Sequence, residues 1–290
     1  MKNTTFHQRW LLEVPKSAED ATCSWLLSKG CTATYRDMQA PFILYAYFPP
    51  NAELPNIENL KKIADIHLIR HETFADQDWL AKSREGFNPI NIGRTLRVSP
   101  VWADNSKSSG RISITVNPGL AFGTGGHETT RLCMTILEDL SSQGLLVGPV
   151  LDIGTGTGIL ALTSWLLGAK NITAFDYDQN CGPAIDDFLA LNSKLIDDVK
   201  PFSYFIGTID NPLINESYNI IIANLLLDTI QSILPRMGQI SKEGGLLIAS
   251  GILAKQQDEA LISLTINGFK PVRIEKSGDW IAILASYYNV

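Results

Sequence analysis

Three glycines and one aspartate near the middle of the chain have the types and spacing of a nucleotide-binding site. Gly154, Gly156 and Gly158 lie in the stretch VLDIGTGTGIL (150–160), which begins as an apolar strand segment. Glycine lets the backbone turn sharply there, so that a ligand can lie against bare amide groups at the start of the next helix. Asp176 follows Gly158 by 18 residues, near the point where such folds place a carboxylate on ribose hydroxyls. The stretch therefore predicts a site for a nucleoside-containing cofactor.

The spacing of the glycines favours one cofactor over another. A glycine loop alone is also typical of an ordinary strand-to-helix turn, and it is Asp176 in register that favours a nucleoside. The dinucleotide fingerprint G-x-G-x-x-G requires a third glycine at position 159, where this chain has the β-branched Ile159. The observed G-x-G-x-G, preceded by Asp152, suits S-adenosylmethionine better than NAD.

Asn224 is the candidate residue for the methyl acceptor. It ends an apolar strand segment, where an amide is unfavourable unless it has hydrogen-bond partners. Methyl transfer from a sulfonium to an amine needs a nitrogen lone pair aimed along the S–CH₃ axis, and an Asn carbonyl can hold the amine's N–H groups in that line. Two interpretations stay open: Asn224 positions the amine, or it only caps the following helix. His127 is a candidate proton acceptor, a cofactor contact or a bystander.

Length and composition place the chain among globular α/β proteins. With 290 residues, 45% of them hydrophobic, it has room for an α/β domain of about 180 residues and a smaller one. Its longest apolar runs are far shorter than the roughly 20 residues of a transmembrane helix. The N-terminal segment has no signal-peptide pattern, so we expect a cytoplasmic protein. The four cysteines form no C-x-x-C pair, and neither disulfides nor a metal site are expected.

Charge is unevenly distributed along the chain. Residues 1–105 carry 12 Lys and Arg against 12 Asp and Glu, so the formal net charge of −6 belongs to residues 106–290. An acidic half repels phosphate backbones and attracts a basic protein surface. Ordinary solubilising charge explains the same distribution.

The first 75 residues have the order of elements of a small ferredoxin-like domain, βαββαβ. Ser17 and Gly30 are typical of the two ends of the first helix, and Asn56 of the start of the second. His67 and His71 fall on a strand, where we expect them to face solvent and not a metal. From residue 76 to 105 the chain is rich in turn residues, which predicts an irregular linker. The predicted strands are 10–14, 31–36, 42–48 and 66–69, and the helices are 17–30 and 56–64.

Residues 106–290 alternate between strands and helices, which predicts a Rossmann-like, mostly parallel sheet covered by helices on both faces. Right-handed crossovers bring the carboxyl ends of the strands into one cleft, where the glycine loop, Asp176 and Asn224 all fall. A second glycine loop (123–127) is expected to close over the cofactor, with Thr129 or Thr130 capping the next helix. That helix has its apolar residues on one face: Leu132, Ile136, Leu137 and Leu140. The other predicted strands are 111–116, 202–206, 218–223, 245–250, 270–276 and 280–287, and the other helices are 183–192, 226–237 and 255–267.

Four separated motifs follow one another along the chain: NPGLAFGTGGHETT (117–130), VLDIGTGTGIL (150–160), IANLL (222–226) and LLIASGIL (246–253). Together they resemble the bacterial PrmA-type methyltransferases of the large-subunit ribosomal stalk protein, number eleven. The resemblance covers essentially the whole chain and extends to the linker FNPINIGRTLRVSPVW and to the C-terminal GDWIAIL. It implies a class I methyltransferase fold with a seven-stranded sheet and S-adenosylmethionine-dependent trimethylation of protein amines, lysine side chains and the N-terminal amine. It also implies that the ferredoxin-like domain docks the ribosomal protein.

The resemblance also implies roles for single residues, with Thr130, Gly154, Asp176 and Asn224 at cofactor- and site-contacting positions. The segment DQNCGPAIDD (178–187) replaces the D-P and alanine-rich helix start that is usual in the family, so contacts to the adenosine differ locally. We expect a monomer that has no metal, no membrane attachment and no nucleic-acid substrate. The complete candidate set is Asn224 and His127 for catalysis, and Thr130, Gly154, Gly156, Gly158, Asp176 and Asn224 for the cofactor.

Other functions fit the sequence less well. An NAD-dependent oxidoreductase is disfavoured by Ile159. An RNA methyltransferase is disfavoured by the acidic balance and because Asn224 is not followed by the Pro-Pro-aromatic that stacks a flipped base. A methyltransferase of the same fold that acts on another protein lysine or on a small molecule stays open. So does a binding module without activity, although intact Asp176 and Asn224 argue against it.

Overall fold

The computed structural model divides the chain into two compact units, residues 1–86 and 87–290. The structure describes residues 6–15, 18–36, 43–50, 52–75, 88–103, 110–117, 126–196, 199–214 and 217–288. The predicted end of the first domain, residue 75, adjoins a segment outside these ranges. The predicted N-cap Ser17 lies in another such segment.

The first unit is a four-stranded antiparallel sheet in the order β2-β3-β1-β4. Alternate residues of β1 and β3 are buried, and the ring of Trp10 packs edge-on against Phe48 with ring centroids 5.2 Å apart. The predicted ferredoxin-like order is present, but the second helix is a 3₁₀-helix, capped by Asn56 as predicted. His67 and His71 are exposed on β4, also as predicted. The elements are β1 (Phe6–Glu13), α1 (Glu19–Ser28), β2 (Ala33–Arg36), β3 (Ile43–Phe48), the 3₁₀-helix (Ile57–Lys62) and β4 (His67–Ala75).

The second unit begins with a three-stranded sheet that the sequence did not lead us to expect. It consists of β5 (Ile90–Ile92), β6 (Leu96–Pro100) and β7 (Ile112–Val116), with β5 and β6 antiparallel and β6 and β7 parallel. The prediction of an irregular linker is therefore wrong for β5 and β6. Gly93 forms the turn between these strands and Pro100 ends the second, so these residues delimit the strands and do not interrupt them.

The seven-stranded sheet confirms the predicted Rossmann-like fold. Its order is β10-β9-β8-β11-β12-β14-β13; the first five strands are parallel, and β14 runs antiparallel to both of its neighbours. A 3₁₀ turn (Ala254–Gln256) precedes the last helix. The strands are β8 (Val150–Ile153), β9 (Ile172–Asp176), β10 (Ser203–Ile206), β11 (Tyr218–Asn224), β12 (Ser241–Leu253), β13 (Phe269–Ser277) and β14 (Trp280–Tyr287). The helices are α2 (Glu128–Ser142), α3 (Ile159–Leu166), α4 (Cys181–Leu191), α5 (Ser193–Ile196), α6 (Leu227–Ile240) and α7 (Gln257–Ile266).

Helices cover both faces of this sheet, which is why its central strands read as continuous apolar runs. On one face α2 and α3 contribute to a core that includes the predicted apolar residues of α2, all of them buried. On the other face α6 contributes Ile230, Leu234 and Met237 to a second core. No helix in the described ranges is both long enough and apolar enough to cross a membrane. The carboxyl ends of β8, β9, β11 and β12 form one edge of the sheet, and the polar residues Asp176 and Asn224 lie at this edge.

Candidate active site

The loop between β8 and α3 has the backbone that its glycines predict. Gly154, Gly156 and Gly158 have φ values of +66°, +57° and +85°, in the left-handed region that favours glycine. A Cβ atom at Gly154 would also lie 2.4 Å from Cδ2 of Leu225, and one at Gly158 would lie 2.8 Å from Cζ of Phe202. Glycine is therefore required here by conformation and by space, and the loop presents bare backbone at the start of α3.

Asp152 lies beneath the loop and ties it to α3. Its Oδ2 accepts hydrogen bonds from the Thr155 hydroxyl at 2.6 Å and from the Ala161 amide at 3.1 Å. The side chain is buried, and burial raises its pKa to about 6. Both of its hydrogen bonds go to the protein, so we assign it to the support of the loop.

Asp176 ends β9 and also holds the glycine loop. Its Oδ2 accepts a hydrogen bond from the Gly156 amide at 2.9 Å, and its Oδ1 accepts one from the Asp178 amide at 3.1 Å. Each carboxylate oxygen has more than one lone pair, so both can accept a further donor. Cys181, in the unusual segment 178–187, begins the next helix, and burial together with the charges of Asp176 and Asp178 raises the pKa of its thiol to about 12. A raised pKa disfavours the thiolate, which is the nucleophilic form of cysteine.

Asn224 ends β11 beside Ser250 of β12 and reaches across to α2. Its Nδ2 lies 3.4 Å from the Thr130 hydroxyl, to which it donates. Its Oδ1 is buried and has no hydrogen-bond partner among the described residues. Leaving such an oxygen unsatisfied costs about 1 to 3 kcal/mol, which a ligand N–H would recover. The interpretation that Asn224 only caps α6 is wrong, because the N-cap position belongs to Leu226.

The start of α2 differs from the prediction. The N-cap is His127 and not Thr129 or Thr130, because the helix already begins at Glu128 and both threonines lie buried in its first turn. The His127 ring occupies the cap: its Nδ1 lies 3.3 Å from the Thr129 amide nitrogen and 2.8 Å from the Thr129 hydroxyl. Gly123 and Gly125, and with them the predicted closure of this loop, lie outside the described residues.

A cavity of about 340 Å³ opens beside Asn224. Its wall is largely apolar, and the ring of Trp280 stands edge-on to the His127 ring, with centroids 5.0 Å apart. The predicted site residues did not include Trp280 or Gly251. Gly251 has a φ of +82°, and a Cβ there would lie 2.3 Å from the Leu225 carbonyl oxygen. The lining residues are His127, Thr129, Asn224, Leu225, Leu226, Gly251 and Trp280.

The two halves of the site adjoin each other at Leu225. This residue follows Asn224, lines the cavity and lies against Gly154 of the glycine loop. The structure thus brings Thr130, Gly154 and Asn224 together with His127, while Asp176 lies on the neighbouring strand β9 and bonds to the same glycine loop. Within the described ranges no three His, Cys, Asp or Glu residues are grouped so as to hold a metal ion. The arrangement places a glycine loop that can bind a nucleoside next to a largely apolar cavity, whose wall includes the buried acceptor oxygen Oδ1 of Asn224.

Comparison with known proteins identifies the family. The model of the ribosomal protein L11 methyltransferase (PrmA) family matches residues 21–287. A ribosomal protein L11 methyltransferase of Acetivibrio thermocellus is 32% identical over 252 residues, 83% of this chain and 78% of that protein. One of Pelobacter propionicus is 34% identical over 257 residues, 82% of this chain and 80% of that protein. The crystal structure of a ribosomal protein L11 methylase from Lactobacillus delbrueckii subsp. bulgaricus is 28% identical with a TM-score of 0.60, and covers 70% of this chain and all of that one. The chain therefore belongs to the ribosomal protein L11 methyltransferase (PrmA) family.

Proposed function

We propose that this protein transfers methyl groups from S-adenosylmethionine to amino groups of ribosomal protein L11, on lysine side chains and at the N-terminal amine. The observation that carries the proposal is the buried Oδ1 of Asn224 at the wall of an apolar cavity, which has no hydrogen-bond partner in the part of the chain that the structure describes. An amine nitrogen supplies the N–H that this oxygen lacks. Family membership agrees with this chemistry.

The residues of the glycine loop and its surroundings fit the cofactor. S-adenosylmethionine supplies a methyl group on a sulfonium, which an amine can displace. The backbone at Gly154, Gly156 and Gly158, which carries no side chains, would let the nucleoside approach closely, and Asp176 would accept hydrogen bonds from the ribose. Tyr177 follows and is 81% exposed, which makes an aromatic side chain available to the adenine. Thr130 would hold the Asn224 side chain in place by accepting the hydrogen bond from its Nδ2.

The cavity would prepare and position the amine. A lysine ammonium has a reference pKa near 10.4, so its neutral form at pH 7 costs roughly 4 to 5 kcal/mol. An apolar wall and a nearby sulfonium both disfavour the ammonium and lower this cost. Asn224 would accept one amine N–H and direct the lone pair at the methyl group, so its contribution is to position the reactants.

The first unit would recognise the substrate protein. The part of residues 1–86 that the structure describes is a small fold with its own core. Every residue to which a chemical role is assigned above lies in residues 87–290. A lysine side chain is common to all proteins, so discrimination has to come from surface contacts away from the transferred methyl group. We further propose that the substrate is the large-subunit stalk protein, that the enzyme acts as a cytoplasmic monomer, and that nucleic acid is not its substrate.

The test is methyl transfer from labelled S-adenosylmethionine to purified ribosomal protein L11, with mass spectrometry of the product. Asn224→Ala should lower kcat by at least about 100-fold while the Kd for the cofactor changes little, because the lost oxygen acts on the amine. Gln239→Ala, which removes an exposed amide near the end of α6, is the matched control and should leave kcat unchanged. No methylation of L11 by the wild-type protein, with label appearing on a different molecule from a cell lysate, would overturn the substrate assignment.

A further inference from the structure

Nδ1 of the His127 ring lies within hydrogen-bond distance of two groups of Thr129. Nδ1 lies 3.3 Å from the backbone nitrogen of Thr129, in the geometry of an N-terminal helix cap. A backbone amide can only donate, so Nδ1 must be the acceptor and cannot carry a proton. The Thr129 hydroxyl, 2.8 Å from the same nitrogen, is then also a donor. The neutral ring therefore carries its proton on Nε2.

This tautomer leaves no lone pair on His127 for a substrate proton. Nε2 is already protonated, and the lone pair of Nδ1 is directed at the start of α2. Protonation of Nδ1 would set a new N–H against the Thr129 amide and remove the cap, and a lost cap costs about 0.5 to 2 kcal/mol. Among the described residues that line the cavity, only His127 has a side chain with a basic nitrogen. The described part of the cavity wall therefore supplies no general base.

The reaction itself does not need a base at the moment of transfer. The lone pair of a neutral amine forms the new N–CH₃ bond, the S–CH₃ bond breaks, and its electron pair stays on sulfur as the neutral thioether. The nitrogen becomes a methylammonium, which loses its proton to water before the next methyl transfer. A third transfer gives a quaternary nitrogen that has no proton to lose.

We infer that His127 is a positioning residue: it caps α2 through Nδ1 and supports the Trp280 wall of the acceptor cavity, and the amine enters the site already neutral. The edge-on packing of the two rings at 5.0 Å links the start of α2, which carries Thr130, to the start of β14. The inference rests on the proposed amine methylation. It replaces the role of proton acceptor that the sequence suggested for His127.

Two variants separate a cap from a base. His127→Asn keeps a side chain that is favoured at N-caps but does not titrate, whereas His127→Ala removes the cap. We expect His127→Asn to retain the wild-type shape and midpoint of the pH profile of kcat between pH 6 and 9, with a raised KM for L11 because the Trp280 wall loses its neighbour. His127→Ala should show the same profile with a lower midpoint of thermal unfolding. Loss of a general base would instead lower kcat by about 10² to 10⁴-fold in both variants.

A second measurement does not depend on activity. In protein labelled with ¹⁵N-histidine, with the His127 resonances assigned by their loss in His127→Asn, we expect the neutral Nε2–H tautomer at pH 7.5. An Nδ1–H tautomer would overturn the inference, as would a flattened pH profile in His127→Asn that added imidazole restores. A wild-type protein that shows the Nε2–H tautomer but does not methylate L11 would contradict the proposed function and leave the tautomer confirmed.

Discussion

Asp152 and Asp176 show how the position of a carboxylate decides its use. Both are buried beside the glycine loop. Asp152 lies under the loop, and its Oδ2 accepts from Thr155 and Ala161, so its hydrogen bonds support the turn. Asp176 lies at the end of a strand, its two oxygens each accept a backbone amide, and each oxygen has a further lone pair that can accept from a ligand. Of the two, Asp176 is the one placed to bind a nucleoside.

We predict that Asp176→Ala weakens the binding of S-adenosylmethionine. Loss of a charge-assisted contact to the ribose should cost roughly 1.5 to 3 kcal/mol, about 10- to 150-fold in Kd. The loop also loses the bond from the Gly156 amide, which acts in the same direction. Isothermal titration calorimetry measures the change, and Asp258→Ala, which removes an exposed carboxylate on α7, is the control. An unchanged Kd in Asp176→Ala would remove Asp176 from the cofactor site.

At the scale of elements, the parallel half of the molecule could be predicted from the sequence because its signals are local. Apolar runs delimit β8 and β11, and a helical apolar stripe delimits α2. The last strand, β14, has the predicted bounds, Trp280–Tyr287. The glycine loop and Asp176 could be placed at the sheet edge for the same reason: the loop begins directly after β8, and Asp176 ends β9.

What the sequence could not predict depends on contacts between distant segments. Gly251 and Trp280 join Asn224 only because β12 pairs with β14 in the register that sets Leu253 opposite Trp280. The cap by His127 was missed because histidine is not among the residues favoured at N-caps. The strands β5 and β6 were not predicted because the turn between them is hydrogen-bonded to Glu138, a buried carboxylate on α2 that lies more than 40 residues further along the chain.

Glu138 anchors the β5–β6 turn to α2. It accepts hydrogen bonds from the Arg94 amide at 2.7 Å, the Thr95 amide at 2.6 Å and the Thr95 hydroxyl at 2.5 Å. Burial by itself would raise the pKa of Glu138, but the hydrogen bonds from Thr95 and Arg94 outweigh it and lower the pKa. A lowered pKa means that this carboxylate stabilises the fold above its ordinary pKa of about 4.5, and that the contribution is lost as the pH falls through the native value.

We predict that Glu138→Gln lowers the free energy of unfolding at pH 7 by about 1.5 to 3 kcal/mol, because the amide presents an N–H₂ to a site that holds only donors. The loss of stability between pH 5 and pH 3 should be smaller in the variant than in the wild type, since the titrating group is gone. Denaturant unfolding across this pH range measures both effects. The exposed Glu259→Gln is the control. Equal stability at pH 7 would show that the turn is held by other contacts.

At the scale of the whole molecule, every residue assigned to chemistry lies in the second unit, and we propose that substrate recognition belongs to the first. The core of residues 1–86 contains Trp10, Leu12 and Phe48, and that of residues 87–290 surrounds the seven-stranded sheet. The position of β5 and β6 changes where the chain should be divided. A cut after residue 105, the predicted end of the linker, would remove both strands and leave Glu138 without its donors. A cut after residue 86 keeps the second unit complete.

We predict that residues 87–290 alone keep nearly the full affinity for S-adenosylmethionine, because the glycine loop and Asp176 are both present. Methylation of ribosomal protein L11 should fall by orders of magnitude, because the surface that selects it is missing. Calorimetry with the cofactor verifies that the truncated protein is folded, and the initial rate of methyl transfer to L11 measures the loss. Full-length Asn224→Ala should show the opposite pattern, with binding of L11 retained and turnover lost. If the truncated protein methylates L11 at close to the full-length rate, then recognition belongs to residues 87–290, and the first unit has a different role.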